Sequence, residues 1–217
     1  MKTYLFLYPF EAYIQVGMDN IAECKVPIKP AVILKRFNKI IDVRYRRQGY
    51  KIVWLTFGCQ NDKNKPNTQL FDKQIVVKPN EPVISNGVVL QPELKRATWV
   101  YPDSLHVLKQ LGPMENLVMG GFHLEDCVDK IAQAAYGQGI PTYIDEDTTD
   151  WFFKYVVLAR SLPPSTRTPG EYMADLINTL RNFDDSPAMV KAMVQEHKHD
   201  RQQRPWLAQV NLAEHYK

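Results

Sequence analysis

The chain has 217 residues, with 27 Lys and Arg against 24 Asp and Glu, and 45% of it is hydrophobic. That length exceeds a typical single domain and falls short of two, so one α/β domain with an extension is expected. Intrinsic disorder is excluded by the composition, and no apolar run approaches the ~20 residues that span a bilayer, so no membrane partner is expected. The net charge of +3 is uneven, because residues 1–60 carry 10 Lys and Arg against 4 Asp and Glu, while the rest carries 17 against 20.

The apolar start at Met1–Phe10 follows a single lysine and lacks a small-residue cleavage site. It is expected as a first strand and not a secretory signal, which suggests a cytoplasmic protein. Cys24, Cys59 and Cys127 are too few and too scattered for a disulfide framework or a metal knuckle, and they are expected as reduced thiols.

In chain order, Tyr4–Tyr8 reads as strand one, stopped by Pro9. From Ala31 to Gln48, Val32, Leu34, Phe37, Ile40, Ile41 and Tyr45 recur near helical spacing, with Gly49 as the stop signal. Lys51–Phe57 is a buried-type strand, so the opening β-α-β unit implies parallel pairing through a right-handed crossover. Residues 59–97 are irregular, with β runs at Gln74–Lys78 and Val83–Leu90, and are expected as an excursion from the main sheet. Alternation returns with strand Thr98–Tyr101, helix Pro102–Gly112, strand Asn116–Phe122, helix His123–Gly139 and strand Pro141–Asp145. The strands at 3–8, 51–57, 98–101, 116–122 and 141–145 are expected parallel in one doubly wound sheet.

Beyond Asp150 three helical stretches are expected, at roughly 150–161, 169–182 and 187–200, forming a C-terminal helical extension over 151–217. They carry Trp151, Phe152, Phe153, Tyr172, Met173, Leu176 and Met189 among other apolar residues, more than solvated helices tolerate. The extension should therefore pack on the 1–150 domain or on a second subunit, most simply in a two-fold dimer.

The most informative stretch is Leu117–Val128, an apolar strand, then Gly120-Gly121, then a helix with Cys127 in its first turns. In a doubly wound sheet, ligands bind at the carboxyl ends of the strands, where helix starts present free N–H groups that favour a thiolate. Against that, Leu124, Cys127, Val128, Ile131 and Ala135 share one apolar stripe, and Glu125, Asp126 and Asp129 oppose a thiolate by like charge.

Gly120-Gly-Phe-His-Leu-Glu-Asp-Cys-Val128, an Ala-rich helix and Thr142–Asp147 together resemble the isochorismatase-like cysteine hydrolases, which include isochorismatases and nicotinamidases. The order of elements up to residue 150 and the Leu90–Leu94 segment are similar too. The resemblance implies a three-layer α/β/α fold and an acyl-enzyme mechanism on a small amide or related C–N or ether substrate. Cys127 would be the nucleophile, with an aspartate base, a lysine and backbone N–H groups for the oxyanion. The family's aspartate position falls on Tyr8, and a free phenol near pKa ~10 is a poor base at neutral pH. Glu11 is the nearest carboxylate, and Lys78 or Lys95 would supply the lysine. Phe122 and His123 are the substrate-binding candidates. The zinc pattern of nicotinamidases, an aspartate and a histidine soon after strand two, is absent from Gly58–Lys63, so neither metal nor other cofactor is expected. Replacement of the base opens the alternative of a non-catalytic protein keeping the fold for binding or assembly.

Three further clusters have bland readings. Asp145-Glu-Asp147 could hold a hard cation and is expected instead as a helix cap or solvated face. Lys35, Arg36, Lys39, Arg44, Arg46 and Arg47 could make a nucleic-acid face, yet without a recognised motif they read as a solvated helix side. His197 and His199 do not face one way and read as surface.

Overall fold

In the computed structural model, residues 1–11, 14–15, 29–57, 72–77, 83–88, 99–151, 195 and 199–211 are described. Strand β1 (Lys2–Leu7) lies at the centre of a five-stranded sheet, flanked by β2 (Lys51–Phe57) and β6 (Asn116–Gly121). The edges are β3 (Lys73–Val77) beside β2 and β7 (Thr142–Thr149) beside β6, and every pairing is parallel. The strand order reverses between β1 and β6, which makes their carboxyl ends the crevice where doubly wound sheets bind ligands. This is the expected α/β, parallel, doubly wound architecture.

Two parts of the expected sheet differ. Residues 73–77, expected outside it, form the edge strand next to β2, with Val53 opposite Lys73. The strand expected at 98–101 is β5 (Trp99–Pro102), and it pairs antiparallel with β4 (Val83–Val88) in a separate two-stranded sheet. Since β3 occupies the free edge of β2, β5 has no place there, and the irregular register of its ladder with β4 marks a bulged hairpin.

Helix α1 (Pro30–Arg44) connects β1 to β2 and buries Ile33, Phe37 and Ile41, at the spacing that puts three residues on one face. Val32, expected on that stripe, is exposed. A 3-10 turn at Arg46–Gln48 ends at Gly49, whose φ of 77° needs no Cβ. Helix α2 (Ser104–Leu111) starts with the Asp103 side chain accepting the His106 N–H at 3.0 Å. At its other end Lys51 donates to the Leu111 carbonyl at 3.0 Å and Lys73 to that of Gln110, so two strands supply cations to the negative helix end. The chain then enters a π-turn at Leu124–Val128 that runs into helix α3 (Asp129–Gly137).

The core is strongly aromatic. Phe6 lies 5.5 Å from Trp54, 5.9 Å from Phe37 and 6.1 Å from Phe122, while Tyr4 stacks on Tyr45 at 4.2 Å.

The acids of β7 correct another expectation. The strand runs on to Thr149, so Asp145, Glu146 and Asp147 are buried inside it and are neither a cap nor a solvated face. Register against β6 breaks after Ile144, and local hydrogen bonds from Thr148 to the Asp145 carbonyl (2.8 Å) and from Thr149 to the Glu146 carbonyl (3.2 Å) hold the bulge. Arg44 reaches in from α1, donating to Asp145 at 2.8 and 3.0 Å and to Asp147 at 2.6 Å, and the Tyr45 hydroxyl donates to Asp145 at 2.6 Å. Arg44 is thus a core ion-pair partner, and Arg46 and Arg47 engage Asp42, with Arg46 also held by Asp72. Arg44 therefore departs from the solvated helix side expected for these residues, while Arg47 remains exposed.

Of the expected extension, 152–194, 196–198 and 212–217, including His197, lie outside the described residues. The described end folds back: residues 199–203 are helical, Pro205–Leu207 form a 3-10 turn, and Gln209 bridges in parallel to Ile144 at the edge of β7. His199 is exposed, as expected.

Candidate functional site

Strand β6 delivers the site through two glycines. A Cβ on Gly120 would collide with the Tyr4 hydroxyl and Thr148 Oγ1, which hydrogen-bond each other at 2.8 Å across the sheet. Gly121 has φ of 96°, and a Cβ there would strike the Leu7 backbone. These contacts bring the end of β6 flush against β1, and the Phe122 N–H donates to the Leu7 carbonyl at 3.2 Å. The Phe122–His123 peptide is cis.

On the β1 side, Tyr8 has φ of 56°, a left-handed conformation uncommon for a bulky residue, and its N–H donates to the Leu55 carbonyl at 2.9 Å. That turn at the end of β1 directs the phenol inward, where it is fully buried. Its hydroxyl acts on the Cys127 thiol in the direction that favours the thiolate.

Cys127 sits in the π-turn, 2% exposed, with Sγ 3.8 Å from Asp126 Oδ2. Burial first, and then the Asp126 carboxylate, push its pKa up to about 12, against the opposing effects of the Tyr8 hydroxyl and the Lys130 charge. Tyr8 opposes it because a donated O–H favours the thiolate. At neutral pH the group is a thiol. The expected apolar stripe, Leu124, Cys127, Val128, Ile131 and Ala135, is buried as a whole.

The field at the helix start is also filled. Asp150 Oδ1 accepts the Leu124 N–H at 2.8 Å, and Oδ2 lies 3.3 Å from His123 Nδ1. This carboxylate takes up the positive helix end that would otherwise favour a thiolate. Asp150 went unrecognised in the sequence because a cap supplied from another strand leaves no local spacing. Lys130 pairs with Asp126 one turn away, and the i, i+4 spacing of that pair was readable from the helix pattern.

Of the other candidates, Glu11 is half-buried and is not among the groups acting on the thiol, which are Tyr8, Asp126 and Lys130. Lys78 and Lys95 lie outside the described residues. Phe122 is fully buried against Phe6 and Phe37, at 6.1 and 6.2 Å, and those contacts make it a core ring. The His123 side chain is 27% exposed at the carboxyl end of β6. Among the described residues, no group of three or more His, Cys, Asp or Glu could hold a metal ion, and no helix is long and apolar enough to cross a membrane.

No protein-family model matches the chain, and neither does any curated protein. Solved structures do resemble it. One is an isochorismatase family protein, 17% identical over 68% of this chain and 80% of that one, with a TM-score of 0.39. Another is the YcaC gene product of Escherichia coli, an octameric hydrolase of unknown specificity, 12% identical over 91% and 94% of the two chains at a TM-score of 0.43. A third is N-carbamoylsarcosine amidase from Thermoplasma acidophilum, 13% identical over 69% and 84% at a TM-score of 0.39. At these identities and scores the likeness transfers no chemistry.

Proposed function

We propose that this chain is an isochorismatase-like protein in which Cys127 does not work as a nucleophile and the fold serves binding or assembly. The observation that carries this reading is the state of the thiol: buried, beside the Asp126 carboxylate, and pushed up to about 12, with a phenol where the resemblance calls for a carboxylate base. A phenol with a free pKa near ~10 is itself protonated at neutral pH and accepts a thiol proton poorly. Assembly with a second copy through residues 151–217 belongs to the same reading, supported by the apolar content of that segment.

The second reading is a cysteine hydrolase of small amides or related C–N or ether compounds, with Cys127 as nucleophile, Tyr8 in the base position and a lysine from Lys78 or Lys95. One observation favours it: the left-handed turn at Tyr8 buries its phenol, whose hydroxyl acts on the thiol in the direction of the thiolate. Hydrolysis of a panel of small amides, ureas and vinyl ethers by the full chain, compared with Cys127→Ala, separates the two. Equal background rates for both proteins are expected, and turnover that disappears in Cys127→Ala would establish the hydrolase. Light scattering tests the assembly arm, with a dimer or larger species expected and a monomer at high concentration contradicting it.

A further inference from the structure

Asp129 lies two residues past Cys127 on the same helix, and it is gripped by residues from the far end of the chain. The Trp206 indole N–H donates to Asp129 Oδ1, and Arg204 Nη1 lies 3.3 Å from Oδ2. The Trp206 ring packs against Tyr136, a further turn along α3, at 6.2 Å. The same segment continues along β7, where the Ile144 N–H donates to the Ala208 carbonyl at 2.8 Å and the Val210 N–H to the Ile144 carbonyl at 3.0 Å. Gln209 Oε1 accepts the Glu146 N–H at 3.3 Å, and Leu207 and Val210 are buried.

We infer that residues 204–210 form a strap that latches the Cys127 helix, and that the thiol becomes reachable when the strap lifts. Two features set this segment apart from the strands of the main sheet. Its described pairing with β7 is a single bridge, whereas β1 is laddered on both sides. It is otherwise held by Asp129 and Tyr136 of α3, by Gln209 on the Glu146 N–H and by burial of Leu207 and Val210, so its release loosens the helix and uncovers the β7 edge while the central strands stay paired. Segments held in this way open locally at free energies below that of global unfolding. The inference is independent of whether Cys127 is a nucleophile, since it concerns access to the sulfur.

The test is peptide-resolved iodoacetamide labelling of Cys127 at fixed pH, with amide hydrogen exchange at Ile144 and Val210, on the full chain. Trp206→Ala removes the indole donor and the packing on Tyr136; Val53→Ala, in the central ladder, is the control for general loss of stability. In Trp206→Ala, labelling and exchange at both amides are expected to rise together by about tenfold or more, the scale of losing a hydrogen bond to a charged acceptor. Val53→Ala should leave both close to wild type. Arg204→Ala, which removes a half-exposed donor and leaves the core intact, should show the same joint rise on a smaller scale, and it carries the test if Trp206→Ala does not fold. Faster exchange at Val210 with unchanged Cys127 labelling would overturn the inference, as would labelling that simply follows global stability across all variants.

Discussion

The buried Tyr8 hydroxyl acts on the Cys127 thiol across the boundary between β1 and β6, and of the uncharged groups around the thiol it is the one that holds its pKa down. The phenol is turned towards this boundary because Tyr8 leaves β1 through a left-handed turn, and the two glycines let β6 close against Leu7.

Tyr8→Phe therefore removes a donor to the thiolate and keeps the ring. The thiol should titrate at still higher pH, while stability changes by no more than about 1.5 kcal/mol, the usual net worth of one hydrogen bond. Titration of the folded variant and denaturant unfolding check the two parts.

Gly121→Ala should be more damaging than Gly120→Ala. At Gly121 the new methyl meets the Leu7 backbone, which cannot step aside without breaking the β1–β6 ladder, and φ is unfavourable as well. At Gly120 it meets two side chains, Tyr4 and Thr148, which can part at the loss of their hydrogen bond. A loss of about 3 kcal/mol or more is expected for Gly121→Ala, measured as a shift in the urea midpoint.

The buried Arg44 group gives a pH signature. Burial holds the Asp145 carboxyl above the usual carboxylate range; Arg44 partly offsets this and Asp147 adds to it. A carboxyl with a raised folded pKa binds its proton more tightly when folded, so its stabilising effect is complete below the unfolded value and fades as pH rises through the folded one. Wild type should thus lose stability relative to Asp145→Asn as pH rises above about 4, the unfolded carboxyl's range. Arg44→Met, which leaves Asp145 and Asp147 without their guanidinium, should cost about 3–5 kcal/mol at neutral pH and less in acid, where protonated carboxyls need no counter-charge. Thermal melts across pH read both.

Asp150→Ala removes the acceptor of the Leu124 N–H and should cost about 1 kcal/mol, as for loss of a helix cap. Asp150→Asn keeps an oxygen in place and should cost less. Denaturant unfolding of the two variants side by side distinguishes a capping role from a purely electrostatic one, for which both would cost the same.

The elements that the sequence made legible are those whose own residues carry the pattern. Tyr4–Tyr8, Lys51–Phe57 and Leu117–Gly121 are continuous apolar runs bounded by Pro or Gly, and each is a buried parallel strand. What could not be read were relations between distant segments. Nothing local to Lys73–Val77 says that it outcompetes Trp99–Pro102 for the edge of β2. The acids of β7 looked solvated because Arg44, which neutralises them, lies a hundred residues away on another layer. Likewise Asp150 caps a helix that begins 26 residues earlier. That Tyr8 and Cys127 follow the ends of neighbouring strands was legible, because both lie at the switch point of the sheet, a rule of topology and not of spacing.

The most direct test of the account is the rate of iodoacetamide labelling at Cys127 as a function of pH, resolved by peptide so that Cys24 and Cys59 do not contribute. A buried thiol pushed up to about 12 should label slowly throughout the neutral range, with no inflection below that of a free cysteine near ~8.5 and rapid reaction only once the protein is unfolded. An apparent pKa well below ~8.5 in the folded protein would mean an activated thiolate, and would contradict the claim that Cys127 is not a working nucleophile.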